Sequence, residues 1–185
     1  MDPPAEDALQ IELSLSGQGW ASCRLRFGSE ETLIEGFGDC TDAFGDLVRA
    51  ALLIVTGAYT ATFSFDGEPY EWRWKMARDI HFPEKLGLTI LGFPDVWRPA
   101  PDSEGKLLWA ISCRPDDFGW AVANAFQAFL ETHGVDRFND QWRLAPFPLR
   151  GLRSLQTALA TEEPRLKDRS DDPILILNWM EPDQP

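Results

Sequence analysis

The sequence predicts an α+β fold: an antiparallel-rich sheet with two long helices and one short helix, the helices packed mainly on one face of the sheet. Two segments place apolar residues at helical spacing, and several others alternate between apolar and polar residues as half-buried strands do. The strands come in groups separated by single helices, an order typical of α+β proteins and unlike that of a parallel α/β sheet. An Asp66-Gly67 pair between two strands predicts a hairpin and at least one antiparallel pair.

Three strands open the predicted domain. Residues 9–15 alternate strictly between apolar and polar side chains, and Gly17 and Gly19 then turn the chain. Residues 21–27 repeat the alternation with two arginines on the polar side, and residues 32–37 can pair as a third strand. These three segments predict an antiparallel meander.

The clearest helix is predicted over residues 42–56, after a turn at residues 36–38. Thr41 or Asp42 can cap its first turn, and Gly57 supplies its stop. Its apolar residues recur at offsets of three and four and predict one buried stripe: Phe44, Leu47, Val48, Ala51, Leu52 and Val55.

A hairpin is predicted from residues 59–65, the Asp66-Gly67 turn and a return strand over residues 70–76, with Asp66 and Glu68 serving the turn. Period-2 alternation divides the return strand into an aromatic face and a charged face. The aromatic face belongs to the core if a helix covers it and to a protein interface if none does. Its members are Tyr70, Trp72, Trp74 and Met76.

The second half of the chain adds strands over 86–93 and 106–113 and a long helix over 117–133 that ends at Gly134. The stripe of this helix contains Val122, Phe126 and Phe129, which we expect to be nearly inaccessible, as we do Phe44, Leu47 and Ala51. Leucines at 149, 152, 155 and 159 predict a short third helix. The residues from Ile174 to Trp179 form a possible last strand, through which the protein can pair with its own copy to form a homo-oligomer.

Length and composition predict a single α+β domain over residues 9–180, with flexible tails at 1–8 and 181–185. No run of 18 apolar residues is present, and the acidic N-terminus is unlike a signal peptide, so we expect no membrane association and a cytoplasmic location. An odd number of cysteines without a CxxC motif predicts free, reduced thiols that act as small buried hydrophobes: Cys23, Cys40 and Cys113.

Charge points to the kind of partner. The net charge is −13, and residues 1–72 hold 13 acidic residues against three arginines. Such a domain repels phosphate backbones, so we expect no nucleic-acid partner, whereas its field attracts a basic protein. The alternative is that the charge serves solubility alone. The candidate partner-binding residues surround the third strand and the start of the first helix: Glu30, Glu31, Glu35, Asp39, Asp42 and Asp46.

Catalytic motifs are scarce in this sequence. It has two histidines, His81 and His133, and no hydrolase, zinc-protease or phosphate-loop pattern. We therefore predict no catalytic residue, no cofactor and no metal site, and a protein that is not an enzyme. The alternative is an enzyme or small-ligand-binding domain that uses carboxylates near the first strand-to-helix connection, such as Glu35 or Asp39, where Asp42 could add a ligand for a divalent cation.

A set of apolar and turn residues spans the middle of the chain: Phe44, Leu47, Val48, Ala50, Ala51, Gly57, Phe65, Asp66, Gly67, Glu68, Pro69, Trp72, Trp142, Pro146, Phe147 and Pro148. Over residues 40–160 this set resembles small uncharacterised bacterial α+β proteins, some of which are immunity proteins of toxin systems. The resemblance implies a cytosolic acidic protein that neutralises a cationic partner by binding it. It implies no catalytic residue.

Overall fold

The computed structural model describes residues 8–161 and confirms the α+β class. Its strands form two antiparallel sheets, where the alternation patterns predict one. The chain outside the described residues, 1–7 and 162–185, includes most of the predicted N-terminal tail, the predicted strand at 174–179 and the predicted tail at 181–185. The domain limits at 9 and 180 therefore stay predictions.

Each sheet is a meander in which sequential strands are neighbours. The first contains β1 (Gln10–Gly17), β2 (Trp20–Phe27) and β3 (Glu30–Gly38). The second contains β4 (Thr60–Gly67), β5 (Tyr70–Arg78), β6 (Leu86–Phe93) and β7 (Lys106–Cys113). Helix α1 (Ala43–Val55) connects the sheets, and α2 (Pro115–Gln141) and α3 (Leu149–Ala160) follow the second one.

The first sheet places its apolar alternation toward the core. Cys23 at the centre of β2 lies opposite Leu13 of β1 and Ile34 of β3, and both Cys23 and Ile34 are buried. The register of β2 and β3 shifts at Gly36, whose φ of 70° favours glycine. The predicted turn at residues 36–38 is therefore wrong: this glycine forms a bulge, and β3 continues to Gly38.

The predicted hairpin is present in β4 and β5, but its turn lies two residues beyond Asp66-Gly67. Gly67 pairs with Tyr70, so that Glu68 and Pro69 form the turn, joined by a cis peptide bond. Gly67 serves a close approach instead of a turn, because a side chain there would collide with the carbonyl oxygen of Gly36 in β3.

The helices follow their predicted stripes closely. Asp42 caps α1, and its Oδ1 accepts a hydrogen bond from the backbone N–H of Gly45 at 3.1 Å. Helix α2 is interrupted at the predicted stop, Gly134, with φ 73° and ψ 164°, and then continues to Gln141. The continuation is not predictable from the sequence, because a single short segment shows too few apolar positions for a helical period.

Aromatic rings join the two sheets and the helices into one core. The Phe37 ring of β3 stacks on Phe65 of β4 with 4.4 Å between their centroids. The stripe residues expected to be inaccessible are confirmed as such, each at most 2% exposed. Five rings lie within 6.0 Å of the Phe44 ring of α1: Phe37, Phe126, Phe129, Phe138 and Trp142.

The aromatic face of β5 is divided between core and surface. Trp74 and Met76 are buried, and the Trp74 ring lies 5.3 Å from that of Phe63 in β4. Trp72 is half-buried and Tyr70 is 52% exposed, because they lie toward the turn end of the hairpin. The core interpretation is therefore confirmed for Trp74 and Met76, whereas the interface interpretation stays a prediction for Tyr70 and Trp72.

The opposite face of β5 carries a buried ion pair. Glu71 accepts hydrogen bonds from Arg73 at 2.8 and 3.1 Å, and it is the one charged residue with a buried side chain among residues 8–161. Arg73 also donates to the carbonyl oxygen of Ala100 at 3.0 Å and to Asp102 at 2.8 Å. The β6–β7 connection is thereby held over the outer face of the second sheet.

Gly67→Ala is expected to lower the free energy of unfolding by about 1–3 kcal/mol, the usual cost of overpacking, because β3 and β4 must move apart. Urea unfolding measures this loss. Gly87→Ala is the matched control in β6, since its added Cβ would have its nearest neighbour, the carbonyl oxygen of Ala77, at 3.6 Å. Equal stability of Gly67→Ala and the wild type would contradict the close contact between the sheets.

Candidate partner-binding surface

Glu30 and Glu31 lie at the start of β3, beside a ladder of ion pairs on the outer face of the first sheet. Glu31 binds Arg24 and also Arg26, with 2.7 Å between Arg26 Nε and its Oε2. Arg26 pairs in turn with Glu12 of β1 at 2.9 Å. The hydrogen bond from Arg26 lowers the pKa of the Glu31 carboxyl. This end of the strand is therefore largely neutralised.

Asp42 and Asp46 share one cation at the start of α1. The guanidinium of Arg49 lies 3.0 Å from Asp42 Oδ2 and binds Asp46 one helical turn away. Its pKa is raised above the ordinary arginine value, first by the hydrogen bond to Asp46. One net negative charge remains on this trio, and Asp42 is additionally engaged as the helix cap.

Asp39 ties the β3–α1 connection to the segment after α2. Its Oδ2 accepts a hydrogen bond from the backbone N–H of Arg143 at 3.1 Å, and its own N–H donates to the carbonyl oxygen of Gly19 at 2.9 Å. The Gly19 N–H donates in turn to Gln141 at 2.7 Å. Asp39 thus has a structural role, and the donor to its carboxylate is a neutral amide and not a cation.

Two contacts bring the β3–α1 connection next to the β4–β5 turn. The carbonyl oxygen of Gly36 lies against Gly67, and the thiol of Cys40 donates to the carbonyl oxygen of Asp66 with 3.6 Å between the heavy atoms. Carboxylates from both segments therefore occupy one region. We call it the acidic corner and define it by four residues: Glu35, Asp39, Asp66 and Glu68.

Negative charge persists at the acidic corner. None of its four members forms an ion pair within residues 8–161. Partial desolvation raises the pKa of the exposed Cys40 thiol, and the charges of Asp66, Glu68 and Asp39 raise it further. Burial also raises the pKa of Asp66; the charge of Glu71 raises it further, that of Arg73 lowers it, and that of Asp46 raises it slightly. The pKa of the Cys40 thiol therefore responds to three carboxylates of the acidic corner, in addition to desolvation.

Partly exposed aromatic rings border the acidic corner. The Trp20 ring is 40% exposed and lies against Gly38, on the same side as the Cys40 thiol. The Trp72 ring lies against Gly67, and the Tyr70 ring follows with 6.1 Å between the two centroids. Carboxylates with neighbouring ring faces attract guanidinium and ammonium groups through charge and through cation–π contacts.

The structure gives the cysteines two different environments. Cys23 and Cys113 are buried, as the sequence predicts, and burial raises both thiol pKa values, that of Cys113 to about 12. The prediction is wrong for Cys40, which is exposed because it lies in the connection after β3 and not within a strand.

The two histidines belong to other elements. His81 is exposed in the β5–β6 loop, where its backbone N–H donates to Asp79 at 2.7 Å. The His133 ring packs on Phe129 with 4.6 Å between centroids, and burial lowers its pKa. Among the described residues, no group of three or more His, Cys, Asp or Glu is arranged to hold a metal ion. No helix in that part of the chain is long and apolar enough to cross a membrane.

The six predicted site residues do not come together as one patch. Glu35 and Asp39 join the acidic corner and Asp42 and Asp46 flank it, whereas Glu30 lies at the opposite end of β3. Sequence reasoning missed Asp66 and Glu68 as site residues because 26 positions separate Cys40 from Asp66, and no spacing rule connects segments so distant. The one signal in the sequence that could have indicated these two residues is that the hairpin turn itself is acidic.

Comparisons with known proteins add no relative: no family model, no curated protein and no solved structure matches this chain. The resemblance to immunity proteins therefore stays a prediction.

Proposed function

We propose that this protein is a non-enzymatic, acidic protein-binding domain that captures a basic partner at the acidic corner, and that it acts as an immunity protein of a toxin system. One observation carries the proposal. Asp39, Asp66 and Glu68 all act on the pKa of the Cys40 thiol, and Glu35 precedes Gly36, whose carbonyl oxygen lies against Gly67. None of the four carboxylates forms an ion pair within residues 8–161, and partly exposed aromatic rings lie beside them.

Each feature of the acidic corner has a role in such binding. The net charge of −13 steers a basic protein toward the domain, and the carboxylates that no arginine neutralises mark where it arrives. Trp20, Tyr70 and Trp72 then supply apolar area and ring faces for arginine or lysine side chains. The fixed contact between the two sheets presents these groups with little reorganisation, which favours affinity.

The alternative of an enzyme or ligand-binding domain gains no support from the geometry. Asp39, one of its candidate carboxylates, is engaged with the backbone of Arg143, and Glu35 is exposed on the surface. A groove of about 600 Å³ lies between α1 and α3, and neither carboxylate contributes to its lining.

Reversing two charges at the acidic corner is expected to abolish capture of the basic partner. Glu35→Lys/Glu68→Lys changes two exposed residues without ion pairs, so the fold is retained while the field at the corner changes sign. Glu30→Lys/Glu84→Lys is the control, with the same change in net charge at two exposed sites, one at the start of β3 and one in the β5–β6 loop. The measurement is the association rate with the basic protein that the wild-type domain captures from its native host, at about 0.01 M and 0.15 M salt, where the Debye length is about 30 Å and 8 Å.

The corner variant should associate at least tenfold more slowly than the control at low salt, a factor in the range that electrostatic steering supplies. It should also fail to restore growth to cells that produce the toxin, while the control variant protects them. Equal rates and equal protection by the two variants would contradict binding at the acidic corner.

A further inference from the structure

An open groove of about 600 Å³ lies between α1 and α3, near the end of α1 opposite the acidic corner. Leu52 and Leu149 are each only half-buried there, so they leave apolar surface facing solvent. The α3 residues that line the groove are spread over nearly the whole length of that helix, so the groove runs parallel to the helix. Its lining is Leu52, Thr56, Leu149, Arg150, Arg153, Ser154, Thr157 and Ala158.

Two arginines make this groove a positive site on a strongly acidic protein. Arg150 and Arg153 are exposed and stand one helical turn apart on the same face of α3. Neither forms an ion pair with a carboxylate of residues 8–161. An occupant of matching chemistry combines a short apolar run with flanking carboxylates.

The sequence of this chain contains such a segment, which begins 14 residues after the end of α3. Residues 174–179 read Ile-Leu-Ile-Leu-Asn-Trp, with Asp171 and Asp172 before them and Glu181 and Asp183 after them. From residue 170 to the C-terminus the chain has four acidic residues and no basic one. The composition of this segment complements the groove both in charge and in apolar character.

We propose that residues 174–179 occupy the groove between α1 and α3 of the same molecule, with Asp171 and Asp172 facing Arg150 and Arg153. Apolar side chains of the segment then cover Leu52 and Leu149. The groove is thereby an intramolecular docking site, separate from the surface proposed for the basic partner.

The length of the connection permits this docking. The last described residue, Thr161, directly follows α3, whose 12 residues span about 18 Å at 1.5 Å per residue. Residues 162–170 can reach at most about 30 Å when fully extended. The segment can therefore return along α3 to Arg153 and Arg150. A tethered partner acts at an effective concentration in the millimolar range, so a modest interface is sufficient.

Hydrogen exchange of the intact protein tests the proposal. Amides of residues 174–179 are expected to exchange at least tenfold more slowly than in a free peptide of residues 170–185. The slowing should be the same at every protein concentration. Arg150→Glu/Arg153→Glu should accelerate this exchange about tenfold, since two surface ion pairs are replaced by repulsion. Arg137→Glu/Arg143→Glu makes the same change in net charge outside the groove and should have no such effect.

Three results would overturn the proposal. The first is exchange of residues 174–179 at the rate of the free peptide. The second is protection that the groove variant leaves unchanged. The third is protection that increases with protein concentration, which would place the segment on a second copy of the chain. Thermal unfolding of each variant verifies that the domain is folded during the measurement.

Discussion

Phe44→Ala is expected to lower the free energy of unfolding by about 3–5 kcal/mol, the largest loss from any single change considered for this protein. Phe44 is 1% exposed and its ring contacts the rings of β3, of α2 and of the segment after α2. Truncation leaves a cavity at the point where the first sheet and two helices meet. Rigid aromatic neighbours on several sides cannot collapse into it.

Urea unfolding followed by circular dichroism measures this loss, and Phe82→Ala provides the control. Phe82 has the same side chain but is 50% exposed in the β5–β6 loop, so its removal should cost less than about 1 kcal/mol. If Phe44→Ala also lowers the free energy of unfolding by less than about 1 kcal/mol, the aromatic cluster does not make a large contribution to the stability of the core.

Arg73→Met is expected to cost about 2–3 kcal/mol, because it leaves Glu71 with a buried charge and no cation beside it. The methionine keeps most of the apolar volume that lies against the Phe93 ring, which is 4.2 Å from the guanidinium carbon. The substitution therefore removes the positive charge and the hydrogen bonds to Glu71, Ala100 and Asp102 while it keeps most of the packing.

Two further variants test whether the loss of stability in Arg73→Met comes from the burial of the Glu71 charge. Arg98→Met breaks the Arg98–Glu104 pair, which is 3.0 Å long but has side chains 70% and 48% exposed, and should cost less than about 0.5 kcal/mol. Glu71→Gln/Arg73→Met removes the orphaned charge and should recover part of the stability lost in Arg73→Met. If the double variant is no more stable than the single one, the loss does not come from the buried carboxylate.

Secondary structure was largely predictable because its signals are local. The offsets of three and four residues that end at Val55 place one face of α1 in the core, and Asp42 caps the helix where the sequence places the cap. The alternation around Cys23 gives the inner face of β2 in the same way. Such patterns depend only on backbone geometry and on the need to bury apolar side chains.

The position of the hairpin turn was less predictable, because a local preference competed with a distant contact. Asp66-Gly67 is a strong turn signal, yet Gly67 lies within β4, where the carbonyl oxygen of Gly36 leaves no room for a Cβ atom. The neighbouring Glu68 and Pro69 form the turn instead. A sequence window around the hairpin contains no information about Gly36.

By itself, the sequence determined the α+β class, the long helical stripes, the antiparallel pairing and the excess of acidic residues in the first 72 positions. The tertiary structure alone decided which of those acids keep an unpaired charge. Arg24 and Arg26 neutralise Glu31 across the first sheet. The contacts of Gly36 with Gly67 and of Cys40 with Asp66 bring the acidic hairpin turn next to the β3–α1 connection. The physical reason is that charge–charge interactions depend on distance through space, which periodicity along the chain does not encode.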